Sequence, residues 1–177
     1  ILGCPPPNVS YVPIDFTRDK LGDVLAKAGY RQDRVTFFLW EGVTYYIPEE
    51  AVRETLRFVA TASATGSSIV LDGKYKSFID WVAANRDASP ESVPPLLRPI
   101  LAAQKKYAAW GEAQIFGFPD GKESEFFAST GLVLVELLRQ ESPETVKRYL
   151  TRRDGSIAFP PAQFGSLVPS PMSWFAE

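Results

Sequence analysis

Three acidic residues end short apolar runs, and their positions along the chain could place them at one ligand-binding edge. Asp15 closes residues 11–15 (YVPID), Glu41 follows residues 35–40 (VTFFLW), and Asp72 closes residues 68–72 (SIVLD). In open α/β sheets, ligands bind beyond the carboxyl ends of the strands. A carboxylate at such an end can bind a ligand or take up a proton. These acids are therefore the first functional candidates.

The side chains available for other chemistry are few. The chain has no histidine, so the commonest general base and the commonest metal ligand are both missing. With Cys4 as the single cysteine, we predict no metal site of the nitrogen or sulfur type. The candidates for a general base are Asp72, Tyr45, Tyr46 and Tyr75, or a residue of a part of the protein outside these 177 residues, and the sequence does not choose among them.

The elements that must position these residues alternate between strand and helix. Residues 35–40 predict a strand buried on both faces, and residues 11–16, 68–72 and 132–138 predict three more. Helices are predicted after Thr17 or Asp19 up to Gly29, after Pro48, and at residues 76–86, 96–110, 120–129 and 142–150, the last capped by Ser142. The proline-rich end of the chain allows one further strand. This alternation indicates an α/β fold with a parallel sheet.

Composition bounds the class of protein. A chain of 177 residues with 45% hydrophobic residues can form one domain with a real core. Its formal charge of −2 gives no reason to expect nucleic acid or an anionic membrane as a partner. No apolar run approaches the roughly 20 residues needed to span a bilayer. With a single cysteine and no recognisable leader, the cytoplasm is the expected compartment.

Four segments together resemble a known family. YVPIDF, FFLWEGVTYYIPEEAV, GSSIVLD and GEAQIFGF, in this order, are similar to the leucine carboxyl methyltransferase-like family over roughly residues 11–150. Members of that family are S-adenosylmethionine-dependent O-methyltransferases, including polyketide O-methyltransferases and protein-phosphatase carboxyl methyltransferases. The resemblance implies a class I methyltransferase (Rossmann-like) fold, an open and mostly parallel sheet with helices on both faces and strand order 3-2-1-4-5-7-6. Residues 11–16, 35–40, 69–72 and 132–138 would be strands 3, 4, 5 and 6.

The resemblance also implies a cofactor site for S-adenosyl-L-methionine. Asp15 and Phe16 match the pair that holds the adenine, Glu41 matches the acid that faces the methionine part, and Gly42 allows close backbone approach. An acceptor pocket would be lined by aromatic residues, namely Tyr45, Tyr46, Tyr75, Trp110 and Phe116. The alternative is that these residues belong to the hydrophobic core and have only a structural role. A helical insertion at about residues 76–110 would form a lid.

One part of the family pattern has no counterpart in this chain. The glycine-rich loop after strand 1 and the ribose-binding acid after strand 2 are not found, and without strands 1 and 2 residues 11–16 have no neighbour to pair with. We therefore expect residues 1–177 to be the C-terminal part of one methyltransferase domain, completed by an N-terminal segment or by a separate chain.

The sequence supports three hypotheses about function. The first is methyl transfer to a carboxylate or hydroxyl of a small, polyketide-like molecule. The second is carboxyl methylation of a protein C-terminus. The third is a non-catalytic fragment of the fold that serves as a scaffold.

Overall fold

The described residues form an α/β structure around a four-stranded sheet. The computed structural model describes residues 6–139, 142–157 and 172–176. The strands are β1 (Phe37–Trp40), β2 (Ser68–Gly73), β3 (Leu134–Leu138) and β4 (Met172–Ala176), in the order β1-β2-β4-β3. This order is that of strands 4, 5, 7 and 6 in the expected fold, with β4 supplied by the end of the chain. β1 and β2 are parallel and β4 is antiparallel to both of its neighbours, so β1, β2 and β3 run in one direction and, among the described strands, β4 alone runs in the other. The described strands therefore agree with the expected α/β fold and its mostly parallel sheet.

The predicted helices are present and somewhat shorter than expected. They are α1 (Leu21–Lys27), α2 (Glu49–Thr61), α3 (Lys76–Ala84), α4 (Arg98–Ala109), α5 (Glu123–Ala128) and α6 (Pro143–Thr145), the last continued by a π-helical turn at Val146–Leu150. The predicted cap of α1 was wrong, since Lys20 occupies that position. Ser142 does occupy the cap position of α6 but makes no side-chain capping bond.

The core lies between α2 and one face of the sheet. Val52 and Leu56 of α2 are completely buried, and Ile69 and Leu71 of β2 are almost so. They belong to one cluster with aromatic residues that include Phe118. Each such side chain contributes about 1.5–3 kcal/mol by leaving water, so this layer holds β1 and β2 in place.

Residues 11–16 do not form the predicted strand. They have no strand neighbour in the part of the chain that the structure describes, and a strand without a partner leaves its backbone groups unpaired. The chain turns instead, with the backbone N–H of Asp15 donating to Oδ2 of Asp19 at 2.9 Å. Residues 1–5, which include Cys4, lie outside the described residues.

The prediction that β1 is buried on both faces was also wrong. Trp40 is buried, but Phe37 and Leu39 on the other face are each 63% exposed. The register places Leu39 beside Val70 and, across β4, in one row with Glu136 of β3. At the β3 end this face is covered in part, where Arg148 contacts Glu136 at 2.7 Å. At the β1 end this face is open among the described residues, as the exposure of Phe37 and Leu39 shows.

The insertion between β2 and β3 contains the helical pair that the sequence predicted. α3 and α4 are joined by 3-10 turns at Pro90–Ser92 and Pro95–Leu97, and the pair has its own small core of Val93, Leu97 and Leu101. Its role as a lid stays a prediction. Among the described helices, none is both long enough and apolar enough to cross a membrane.

Candidate functional site

The carboxyl ends of β1 and β2 are tied to each other. The backbone N–H of Gly42, just after β1, donates to Oδ1 of Asp72 at 2.8 Å. Oγ1 of Thr44, which is fully buried, donates to the carbonyl of Asp72 at 2.8 Å. The structure therefore brings the acid that follows β1, Glu41, to the same edge as the acid that ends β2.

The turn after β1 leaves Glu41 available. Gly42 has φ +72°, a backbone conformation that residues with a Cβ rarely adopt. Glu41 is exposed, and its carboxylate makes no hydrogen bond or ion pair with the residues that the structure describes. An exposed carboxylate with no partner is free to accept hydrogen bonds from a ligand.

Asp72 has an environment that favours its protonated form. Burial raises the pKa of its carboxyl above the ordinary value, and the nearby charge of Glu41 raises it further. The Gly42 N–H and the positive charge of Lys74 act in the opposite direction. Because burial has the largest effect, Asp72 binds a proton more readily than an exposed aspartate would. Among the four candidate bases, this carboxyl has the clearest physical basis for accepting a proton.

Tyr45 is better suited to donating a hydrogen bond than to acting as a base. Burial, together with the charge of Asp72, raises the pKa of its phenol to about 12. The phenol is therefore neutral at pH 7. Its ring lies 4.6 Å from that of Tyr46, and both rings are half-buried beside the ends of the two strands.

The predicted adenine pair lies near the end of β1, although not on a strand. Oδ1 of Asp15 accepts from the backbone N–H of Thr17 at 2.9 Å and from its hydroxyl at 2.6 Å, and these bonds hold the pKa of Asp15 below its usual range. The ring of Phe16 lies 6.1 Å from that of Trp40. Phe16 thus contacts the residue directly before Glu41, which places the pair beside the strand ends.

The aromatic residues proposed for an acceptor pocket fall into three places. Tyr45 and Tyr46 lie at the strand ends. Tyr75 and Phe116 are 6% and 5% exposed and belong to the main core. Trp110 follows the last residue of α4 and is 61% exposed, so it does not line a pocket. The structure therefore brings only the first pair to the candidate site.

Sequence reasoning missed Lys74, which lies beside Tyr45. Its Nζ is 5.5 Å from the centre of the Tyr45 ring and 5.7 Å from that of Phe78 in α3. Burial lowers the pKa of this ammonium, while Asp72 raises it. A single lysine carries no motif, but its position two residues after the acid that ends a predicted strand was a usable signal, because residues i and i+2 of an extended segment point to the same side.

Comparison with known proteins shows what the chain is similar to. The profile of the leucine carboxyl methyltransferase family matches residues 2–60. Over 156 residues the chain is 27% identical to YktD of Bacillus subtilis, named as a candidate S-adenosyl-L-methionine-dependent methyltransferase, covering 87% of this chain and 46% of that protein. The resemblance to the leucine carboxyl methyltransferase family is confirmed.

A solved structure is also similar. The crystal structure of a candidate O-methyltransferase from Nostoc punctiforme is 11% identical, with a TM-score of 0.37, and the match covers 81% of this chain and 33% of that one. The chain thus spans about half the length of the curated relative and a third of the length of the solved one.

The matched part of the leucine carboxyl methyltransferase profile contains the residues expected to bind a cofactor. Asp15, Phe16, Glu41 and Gly42 all fall within residues 2–60, which is a shorter stretch than the resemblance suggested. They lie near one another at the end of β1, and beside them Nε1 of Trp40 is buried with no hydrogen-bond acceptor among the described residues. An exposed acid, an adjacent turn and an unpaired N–H fit the polar end of a cofactor.

No corresponding arrangement suggests a metal centre. Within residues 6–139, 142–157 and 172–176, no group of three His, Cys, Asp or Glu side chains is placed to hold a metal ion.

Proposed function

We propose that the chain is part of an S-adenosyl-L-methionine-dependent O-methyltransferase that acts on a carboxylate or hydroxyl of a small, polyketide-like molecule. The observation that supports this most strongly is the position of Glu41. It lies within the family match, it follows β1 directly, and it has no partner among the described residues. The N–H of Gly42 bonded to Asp72 fixes the turn that exposes it.

In this proposal the residues near the end of β1 hold the cofactor. Asp15 accepts from the amine of the adenine and Phe16 packs against its ring, while Glu41 binds the methionine part. Bound S-adenosyl-L-methionine supplies a methyl group on a sulfonium, an intrinsically reactive donor. The chain's own residues position that group and keep water away from it.

The acceptor chemistry decides whether a base is needed. An acceptor oxygen held beside the bound donor would take the methyl group with its own electron pair, and the thioether would keep the pair of the C–S bond. A carboxylate is already ionised at pH 7 and needs no base, whereas a phenol has a pKa near 10 and must lose its proton. Asp72, half-buried and near Tyr45, is the residue we propose for that proton.

The stability of the product to base tests the acceptor class. The full chain is incubated with methyl-labelled S-adenosyl-L-methionine and with panels of aromatic acids and phenols. A methyl ester releases volatile labelled methanol on treatment with base, whereas a methyl ether does not. We expect labelled product from one of the panels. Label found only on proteins would support the alternative, carboxyl methylation of a protein C-terminus.

We also propose that further strands join the sheet beside β1. The outer edge of β1 is unpaired among the described strands, and Val35, Phe37 and Leu39 are exposed on one face. An unpaired edge beside apolar side chains is a surface that pairs readily with another strand. An N-terminal segment or a separate chain would supply these strands.

The compartment that we propose for this protein is the cytoplasm.

The same open edge is the observation that favours the non-catalytic alternative. If no strands are added, the unpaired edge of β1 stays available for pairing with a strand of another protein, and the chain would serve as a scaffold. Binding of the cofactor product S-adenosylhomocysteine separates the two, because a scaffold has no need of it.

A further inference from the structure

The environment of the Lys74 side chain is unusual for a lysine. It follows β2 directly, and its ammonium is partly buried between the rings of Tyr45 and Phe78. In the part of the chain that the structure describes, no hydrogen bond or ion pair joins this ammonium to an acceptor. A lysine ammonium removed from water ordinarily has a carboxylate or a row of carbonyls around it. Here two aromatic faces take that place through cation–π contacts.

The backbone holds Lys74 firmly in this position. The N–H of Phe118 donates to the carbonyl of Lys74 at 2.8 Å, and the N–H of Lys76 donates to the carbonyl of Phe118 at 2.8 Å. Gly117 permits this close approach, because a Cβ there would meet the backbone of Tyr75 at 2.6 Å. The backbone from which the Lys74 side chain extends is therefore fixed, and the rings of Tyr45 and Phe78 lie on the path of that side chain.

The nearest described acid does not account for the charge. Asp72 influences Lys74 electrostatically, but no ion pair forms between them, and Oδ1 of Asp72 already accepts from Gly42. Lys76, two residues further on, shows the contrast, since its Nζ contacts Oδ1 of Asp80 at 2.7 Å on the exposed side of α3. Of these two lysines, only Lys74 has a charge left for another group.

We propose that Lys74 is the positioning residue that pairs with the carboxylate of an aromatic acceptor held against Tyr45. The proposal rests on the methyltransferase function above, and it narrows the acceptor to an aromatic acid. Phe78 is 5% exposed and only surrounds the ammonium, whereas the half-buried ring of Tyr45 can contact an aromatic ring whose carboxylate pairs with that ammonium. One carboxylate oxygen then faces the strand ends where Glu41 lies.

The test is a titration of the full chain with benzoate, a minimal aromatic acid, followed by NMR at the Lys74 side chain. The signal of Lys74 is assigned by its loss in Lys74→Met. We expect benzoate to shift this signal, and we expect Lys74→Met to weaken benzoate binding about tenfold or more, as loss of a charge-assisted hydrogen bond does. Lys74→Arg should restore part of the affinity, because it keeps the charge.

Matched controls make the result specific. Lys76→Met removes a neighbouring exposed lysine and should leave benzoate binding unchanged. Benzamide, which has the same ring without the charge, should bind equally weakly to the original chain and to Lys74→Met. Methionine is close to lysine in length, so the melting temperature of Lys74→Met should show that the variant folds.

The outcomes distinguish this proposal from the broader one. The chain could fail to bind S-adenosylhomocysteine while its binding of benzoate still depends on Lys74. That result would overturn the methyltransferase function and would support the carboxylate site at Lys74. Binding of S-adenosylhomocysteine together with benzoate binding that is absent, or equal in the original chain and Lys74→Met, would overturn the role of Lys74.

Discussion

Gly42 donates its backbone N–H to Oδ1 of Asp72 at 2.8 Å, across 30 residues of sequence. This bond joins the turn after β1 to the last part of β2. It explains why Glu41 and Asp72, far apart in the chain, share one edge of the sheet. The account of the site depends on this contact, because it fixes the turn that exposes Glu41.

The charge of Asp72 should make the stability of the chain depend on pH. Its pKa is raised in the folded state by burial, so its contribution to stability is full below the unfolded value of 3.8 and is lost as the pH rises through the folded value. Asp72→Asn keeps an oxygen for the Gly42 N–H and lacks the charge. We expect this variant to melt at a temperature equal to or above that of the original chain at pH 7, with the difference shrinking towards pH 3.

Asp72→Ala serves as the control for that comparison. It removes both the charge and the acceptor, so the Gly42 N–H loses its partner and this variant should melt below Asp72→Asn. Thermal melts at several pH values measure both effects. A difference between the original chain and Asp72→Asn that grows as the pH falls would contradict the assignment.

The two faces of the sheet should respond differently to truncation. Leu71→Ala removes a side chain that is 1% exposed and should cost about 2–5 kcal/mol of unfolding free energy. Leu39→Ala removes one that is 63% exposed and should change stability by no more than about 0.5 kcal/mol. Urea denaturation measures both. Equal losses would mean that Leu39 is covered in solution, which the open edge of β1 does not predict.

The sequence predicted the positions of the helices and of most strands better than the burial and pairing of the strand residues. The helix predicted after Pro48 is present as α2, and its residues Val52, Leu56 and Val59 are buried. Apolar content alone could not show that Leu39 is exposed, because a strand buried on two faces and an edge strand with one open face have the same composition. Residues 11–16 have the composition of a strand, yet a strand also needs a neighbour to pair with.

The candidate site was predictable where a residue ends an element. Glu41 and Asp72 could be placed at one edge because parallel strands bring their carboxyl ends together. Tyr75 and Phe116 could not be separated from core residues, since aromatic side chains line pockets and fill cores alike. Lys74 was missed because its environment depends on Tyr45, and a contact between two residues this far apart in the sequence is not visible in it.

Gly117 should tolerate no larger residue. A Cβ at this position would lie 2.6 Å from backbone atoms of Tyr75 and Lys76, which cannot move aside as a side-chain tip can. Gly117→Ala should cost about 2 kcal/mol or more. It should also speed hydrogen exchange at the amides of Lys76 and Phe118, which bond across the close approach.

Gly111→Ala provides a comparison without the clash. Gly111 has φ +82° and open space around it, so alanine there should cost stability through backbone strain and leave those two amides protected. Hydrogen exchange followed by NMR distinguishes the two variants. Unchanged protection in Gly117→Ala would show that the two segments are not held together as described.

The central claim is tested most directly by calorimetric titration of the full chain with S-adenosylhomocysteine. We predict binding, weakened about tenfold or more in Glu41→Gln, because a carboxylate that accepts hydrogen bonds from the methionine part is lost. Glu54→Gln, which changes an exposed acid on α2, should bind like the original chain. An absence of binding, or equal binding in Glu41→Gln and Glu54→Gln, would contradict the cofactor site at the end of β1.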